Sequence, residues 1–87
     1  LIALEKLDLE DTKVTDKGLK HLSGLKALRR LDLNRTKVTD KGIKHLKELT
    51  ALKKLTIYDT KVTKKGVSQL KQALPDCRIT GIRLDKQ

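Results

Sequence analysis

The chain has 87 residues, enough for one domain, and a chain of this size buries only about two-thirds of the surface that its unfolded form exposes. Charged residues make up 37% and the net charge is +10, a balance that would suit a disordered polycation were the leucines not set at a fixed interval. One cysteine excludes an intrachain disulfide, no run approaches the roughly 18 apolar residues of a membrane span, and with Tyr58 as the one aromatic residue the core must come from branched aliphatics.

Residues 1–24, 25–48 and 49–72 are three copies of one unit. The first reads LIALEKLDLEDTKVTDKGLKHLSG and agrees with the second at 16 of 24 positions; the second and third agree at 12 of 24. Self-similarity of this kind marks a repeat architecture, in which each unit buries its apolar face against its neighbours. Every unit opens on a predicted strand, centred near Leu7, Leu31 and Leu55. In Arg30-Leu31-Asp32-Leu33-Asn34 the alternation sends Leu31 and Leu33 inward and the other three outward.

A turn follows at Thr12, Thr36 and Thr60, whose hydroxyls are expected to bond loop backbone groups within and between repeats. Thr15, Thr39 and Thr63 then read as helix N-caps, and Asp16 and Asp40 lie where the helix dipole favours negative charge. Gly18, Gly42 and Gly66 near each helix start permit close packing; without a G-K-[ST] pattern they do not form a phosphate loop. One short helix per repeat is expected, facing inward through Leu19 and Leu22, Ile43 and Leu46, or Val67 and Leu70.

From residue 73 to residue 87 the repeat degrades into a cap. Pro75 is expected to end the third helix, and Ile79 falls one period after Leu55, which predicts a fourth strand there. Cys77 reads as a small packed residue and not as a reactive thiol. The first strand is expected to present an unpaired edge, with Leu4, Leu7 and Leu9 near an open core. The chain also opens at the first position of a repeat without a methionine. These features are read as a single domain, 1–87, that forms part of a longer protein and can self-associate through its N-terminal edge.

The pattern L-x-x-L-x-x-L-x-[LI]-x-x-T-x-V, continued by T-[DK]-x-G-[LIV]-x-x-L, resembles the leucine-rich repeat over the whole chain. It is similar to the cysteine-containing subtype of F-box-type and many bacterial proteins, and the tail resembles their L-P-x-C-x-I ending. Thr12, Thr36 and Thr60 depart from that subtype, which has Asn or Cys there, and the unit is slightly shorter. The resemblance implies a right-handed α/β solenoid with parallel strands on a concave face and short helices on a convex one. It also implies a protein-interaction role without enzymatic activity or a cofactor.

In such a stack, residues one period apart are neighbours at about 4.8 Å. Lys6, Arg30, Lys54 and Arg78 therefore form a basic column on the concave face. Beside it run Asp8, Asp32, Thr56 and Thr80, so acids accompany only the first two rows. Stacked Asp8 and Asp32 approach the carboxylate spacing of a retaining glycosidase, but an open face with basic neighbours does not raise the pKa of an acid. His21 and His45 are also stacked, on the outward helix face and without a third ligand, which makes a poor metal site. Asp11, Arg35, Asp59 and Arg83 alternate in sign and read as a structural ladder of exposed pairs.

Charge is uneven along the chain, −1 in residues 1–24 and +5 in each of the next two repeats. The favoured reading is a protein partner held on the concave face through Arg30, Lys54, Tyr58 and Arg78, with Asp32 and Asn34 beside them. Glu10, Asn34, Tyr58 and Ile82, which differ between repeats at one outward position, mark a surface built for selectivity. The alternatives are an anionic polymer, nucleic acid or acidic polysaccharide, bound by the basic C-terminal two-thirds, and a structural spacer. A lone aromatic argues against a dedicated single-strand nucleic-acid reader.

Overall fold

The computed structural model describes residues 3–82. Four three-residue strands, β1 (Lys6–Asp8), β2 (Arg30–Asp32), β3 (Lys54–Thr56) and β4 (Arg78–Thr80), alternate with helices α1 (Asp16–Lys20), α2 (Asp40–Ile43) and α3 (Lys64–Ala73). The strands make one parallel sheet in chain order. Leu7 pairs with Leu31, Leu31 with Leu55 and Leu55 with Ile79, so each strand residue lies beside the residue 24 positions on. This is the α/β repeat solenoid that the sequence predicts, with the fourth strand where the period places it.

The helices differ from the single short helix expected of each repeat. α1 and α2 pass directly into 3-10 turns at His21–Gly24 and Lys44–Glu48, whereas α3 continues for ten residues. A 3-10 turn rises about 2.0 Å per residue against about 1.5 Å in an α-helix, so the same residues carry the chain further back toward the next strand. α3 stops at Ala73, and Leu74, which precedes Pro75, leaves the helical region with φ −127° and ψ 70°. The proline ring disfavours helical backbone in the residue before it.

One aliphatic core runs through the stack, and it is deepest in the middle. Leu28, Leu31, Leu33, Val38, Ile43 and Leu46 of the second repeat are buried together with Leu49, Leu52, Leu55, Ile57 and Leu70 of the third. In the first repeat only Leu19 is fully buried among the described residues; Leu7 and Leu9 are partly covered. Leu4 is 44% exposed, while its equivalents Leu28 and Leu52 are at 0% and 2%. A middle repeat is covered from both sides, whereas the first has a described neighbour on one side alone.

The Thr-Asp-x-Gly segment joins successive repeats. Asp16 accepts hydrogen bonds from the Thr39 backbone N–H at 2.7 Å and the Thr39 hydroxyl at 2.6 Å. Asp40 receives the same two from Thr63, at 2.8 and 2.5 Å. The two carboxylates thus do more than sit in a helix-dipole field: each clamps its own repeat to the next. Having donated its proton to that carboxylate, the threonine hydroxyl keeps a lone pair for its own helix. Thr39 accepts from the Lys41 N–H and Thr63 from the Gly66 N–H, whereas Thr15 makes no side-chain cap bond. The expected cap is thus formed in two repeats and absent in the first.

Glycine completes this joint. A Cβ at Gly42 would overlap the Asp16 carboxylate and approach the Asp16 Cα to 2.9 Å, and one at Gly66 would overlap the Asp40 carboxylate. Alanine normally stabilises a helix relative to glycine by up to about 1 kcal/mol. Here the sign should invert: Gly66→Ala is expected to destabilise by about 1–3 kcal/mol through overpacking. Gly24→Ala, where nothing lies within 4 Å, should be neutral or stabilising. Urea denaturation checks both, and the cost of Gly66→Ala should shrink in an Asp40→Ala background. Equal effects at Gly24 and Gly66 would show that the joint does not constrain the fold.

Candidate functional site

The strands are short, yet they fix the outward side chains in rows. The Glu5 carbonyl accepts from both the Arg29 and Arg30 N–H groups, and the Arg29 carbonyl from both Lys53 and Lys54. Arg30 pairs with Lys6 on one side and Lys54 on the other, and Lys54 with Arg78, so the basic column stands in register across the sheet. Arg30 and Arg78 are exposed and Lys54 is half-buried.

Arg29 and Lys53 join this column, which the alternation alone did not indicate. Together with Glu5, Lys6, Arg30 and Lys54 they line a shallow groove of about 230 Å³ at the N-terminal ends of the strands. The consecutive basic pairs Arg29-Arg30 and Lys53-Lys54 were the available signal. Among the described residues the ion pairs are Lys26 with Glu48 and Arg35 with Glu10, so none of Lys6, Arg29, Arg30, Lys53, Lys54 and Arg78 is held in a direct ion pair there, and Glu5 is the one acid lining the groove.

Asp8 and Asp32 stack as predicted, and each folds back on its own turn. Asp8 accepts from the Glu10 N–H at 2.9 Å and Asp32 from the Asn34 N–H at 3.0 Å. Asp8, Glu10 and Asp32 bring carboxylate oxygens within 4.8 Å of one another, an acidic spot beside the first two rungs of the basic column. The groups are exposed or half-buried and already serve the turns, which gives them no enclosed acid for hydrolytic chemistry.

Asn34 is half-buried, and its side-chain carbonyl accepts the Tyr58 N–H at 2.7 Å. The Tyr58 carbonyl in turn accepts the Arg35 N–H at 2.8 Å. Tyr58 is therefore fixed through both its backbone N–H and its carbonyl to the preceding turn, while the residue stays 54% exposed. Gly81, with φ +106°, closes over the same turn: a Cβ there would fall 2.5 Å from the Tyr58 nitrogen. An open cavity of about 390 Å³ lies against Tyr58, Asp59, Thr60, Val62, Gly81 and Ile82.

Three smaller expectations fare differently. Thr12, Thr36 and Thr60 donate to the carbonyls of Leu9, Leu33 and Ile57 within their own turns, and no bond from these hydroxyls to another repeat is found among the described residues. Among the described residues no ion pair joins Asp11, Arg35 and Asp59, so the expected charge ladder is not formed there. Asp11, Arg35 and Asp59 are instead the left-handed residues of three equivalent turns, with φ of 60°, 57° and 59°, and Arg35 pairs with Glu10. That backbone directs the side chains by turn geometry and not by charge; Arg83 lies outside the described residues. His21 is exposed and His45 half-buried, and neither belongs to a described group of metal-ligating side chains.

Comparison with known proteins agrees with the repeat. A family model described as Leucine Rich repeat matches residues 3–23 and 25–47. No curated protein matches the chain. Among solved structures, the one described as the Chaetomium Mex67:Mtr2 subunits is similar in fold, with a TM-score of 0.65 at 21% identity. The likeness covers 91% of this chain and 55% of that one, so the present chain spans about half the length of the protein it matches.

Cys77 is fully buried, and burial pushes its thiol above the ordinary value of 9.0, with Lys71 and Lys53 opposing the shift. A raised folded-state pKa stabilises the native state below the unfolded value and ceases to do so as pH rises past it. Two outcomes follow: a disulfide reagent at pH 8 should label Cys77 only as fast as the chain opens, and the wild type should lose stability above about pH 9 more steeply than Cys77→Ala. Rapid labelling of the folded chain would show an accessible, reactive thiol.

Proposed function

Because the chain belongs to the leucine-rich-repeat family, whose repeats generally mediate protein–protein interaction, we propose that it is a protein-interaction module that holds its partner on the concave strand face. Arg30, Lys54, Tyr58 and Arg78 form the centre of contact, with Asp32 and Asn34 shaping the turns beside them. One observation carries this reading. Like charges directly opposite across strands destabilise a sheet, yet Lys6, Arg30, Lys54 and Arg78 stand in register with no acid paired to any of them among the described residues. An acidic partner would remove that cost on binding. Repeats 1–24, 25–48 and 49–72 with the 73–87 cap act as one domain, and the resemblance of the Thr-Asp-x-Gly segment supports a relation to the cysteine-containing subtype of bacterial and F-box-type proteins. No catalytic role is assigned.

The same uncompensated cations support a second reading, an anionic polymer such as nucleic acid or acidic polysaccharide. It differs in its salt dependence, since counterion release makes such affinity fall steeply with ionic strength. The exposed Leu4 and the partly covered Leu7 and Leu9 at the β1 edge also favour self-association. Sedimentation velocity should show a species that grows with concentration and is suppressed by Leu4→Lys; a monomer throughout would show that the edge is harmless.

The face assignment is tested on a captured partner. Tyr58→Ala and Lys54→Glu should each weaken binding by about tenfold or more, the range of interface hot spots. Lys20→Glu, exposed on α1, should leave it unchanged. A greater loss at Lys20 than at both strand-face positions would place the partner on the helices.

A further inference from the structure

We propose that the partner's contacting element is an acidic α-helix lying across the strands, along the axis of the stack, with one stripe of carboxylates on the basic column. The proposal rests on the strand-face reading above and adds the shape and direction of what binds there. Lys6, Arg30, Lys54 and Arg78 are consecutive Cα partners in a parallel sheet, and three strand spacings set the outer two about 14 Å apart. Carboxylates at i, i+3, i+7 and i+10 of a helix share one face and span about 15 Å at about 1.5 Å per residue. An extended peptide presents same-side acids about 6.6 Å apart, so four of them span about 20 Å and drift out of step with the rungs. A single-stranded nucleic acid would call on stacked aromatics, and Tyr58 is alone.

The neighbouring column sets the direction. Asp8, Glu10 and Asp32 cluster beside Lys6 and Arg30, whereas Thr56 and Thr80 stand beside Lys54 and Arg78. A helix carries partial positive charge at its N-terminus and negative charge at its C-terminus. The helix N-terminus therefore lies over β1 and β2, and its C-terminal, most acidic turn lies over β3 and β4.

The test uses the 87-residue chain and synthetic peptides of about four turns, long enough to carry the roughly 15 Å stripe with a short flank at each end. One is a helix with glutamates at i, i+3, i+7 and i+10; the second is an isomer of equal composition and helicity with its glutamates on opposite faces; an oligothymidylate is the third probe. Fluorescence anisotropy at fixed low salt should show the striped helix binding about tenfold tighter than its isomer, what four exposed ion pairs together supply. That preference should vanish in Lys54→Glu, persist in Lys20→Glu and be reduced in Lys54→Gln, which serves if the charge reversal unfolds the chain. Equal affinity of the two helices, or tighter binding of the oligothymidylate, overturns the proposal. If that equal binding is still weakened by Lys54→Gln, the strand-face reading survives alone; if it is indifferent to Lys54 and Arg30, both fail.

Discussion

The carboxylates of Asp16 and Asp40, each bound to the backbone and hydroxyl of the threonine 23 residues later, hold the helix side of the stack at the same period that the strands hold on the other. A parallel sheet of three-residue strands is a weak constraint by itself, since a few ladder bonds per interface leave it free to fan or slip. Pinning both sides of each repeat turns the stack into a unit in which residue number plus 24 gives the neighbour. The glycine that admits the carboxylate is part of the same device. Lys64 stands where a third aspartate would.

That fixed period explains how a chain with one aromatic residue builds a core. Leucine, isoleucine and valine recur at equivalent positions, so the same side chains meet in columns and fill space without large rings. The arrangement has a directional consequence. Burial is deepest where two neighbours press, in the second and third repeats, and shallower at β1, where Leu4 keeps nearly half of its surface in water. Cys77 closes the core at β4 as a neutral thiol, an ordinary small apolar group in that setting.

The same period that makes the core cheap makes the outer face costly. Whatever charge the sequence places at an outward strand position is repeated at about 4.8 Å, and here four cations in succession are stacked in this way. The turns that follow the strands are built by other means: a left-handed residue in each, an aspartate folded onto its own turn, and Asn34 reaching across to the Tyr58 backbone. They hold Tyr58 at the rim of the charged column with its backbone bonded and the residue exposed to solvent.

The sequence by itself determined the repeat, the inward residues and the equivalence of Lys6, Arg30, Lys54 and Arg78, because these follow from periodicity alone, and its family resemblance implied the parallel strands. Periodicity says which residues are equivalent; it does not say which atoms meet. Only the tertiary structure decided that Asp16 and Asp40 bond the next repeat and not merely their own helix dipole, since Thr39 and Thr63 come within reach of them only after stacking. It likewise turned Asp11, Arg35 and Asp59 from an expected charge ladder into left-handed turn residues, because backbone torsion, which the alternation of sign cannot report, sets where those side chains point. Arg29 and Lys53 entered the basic groove for a similar reason: they precede the paired residues, and the double hydrogen bonds onto the Glu5 and Arg29 carbonyls bring them to its wall.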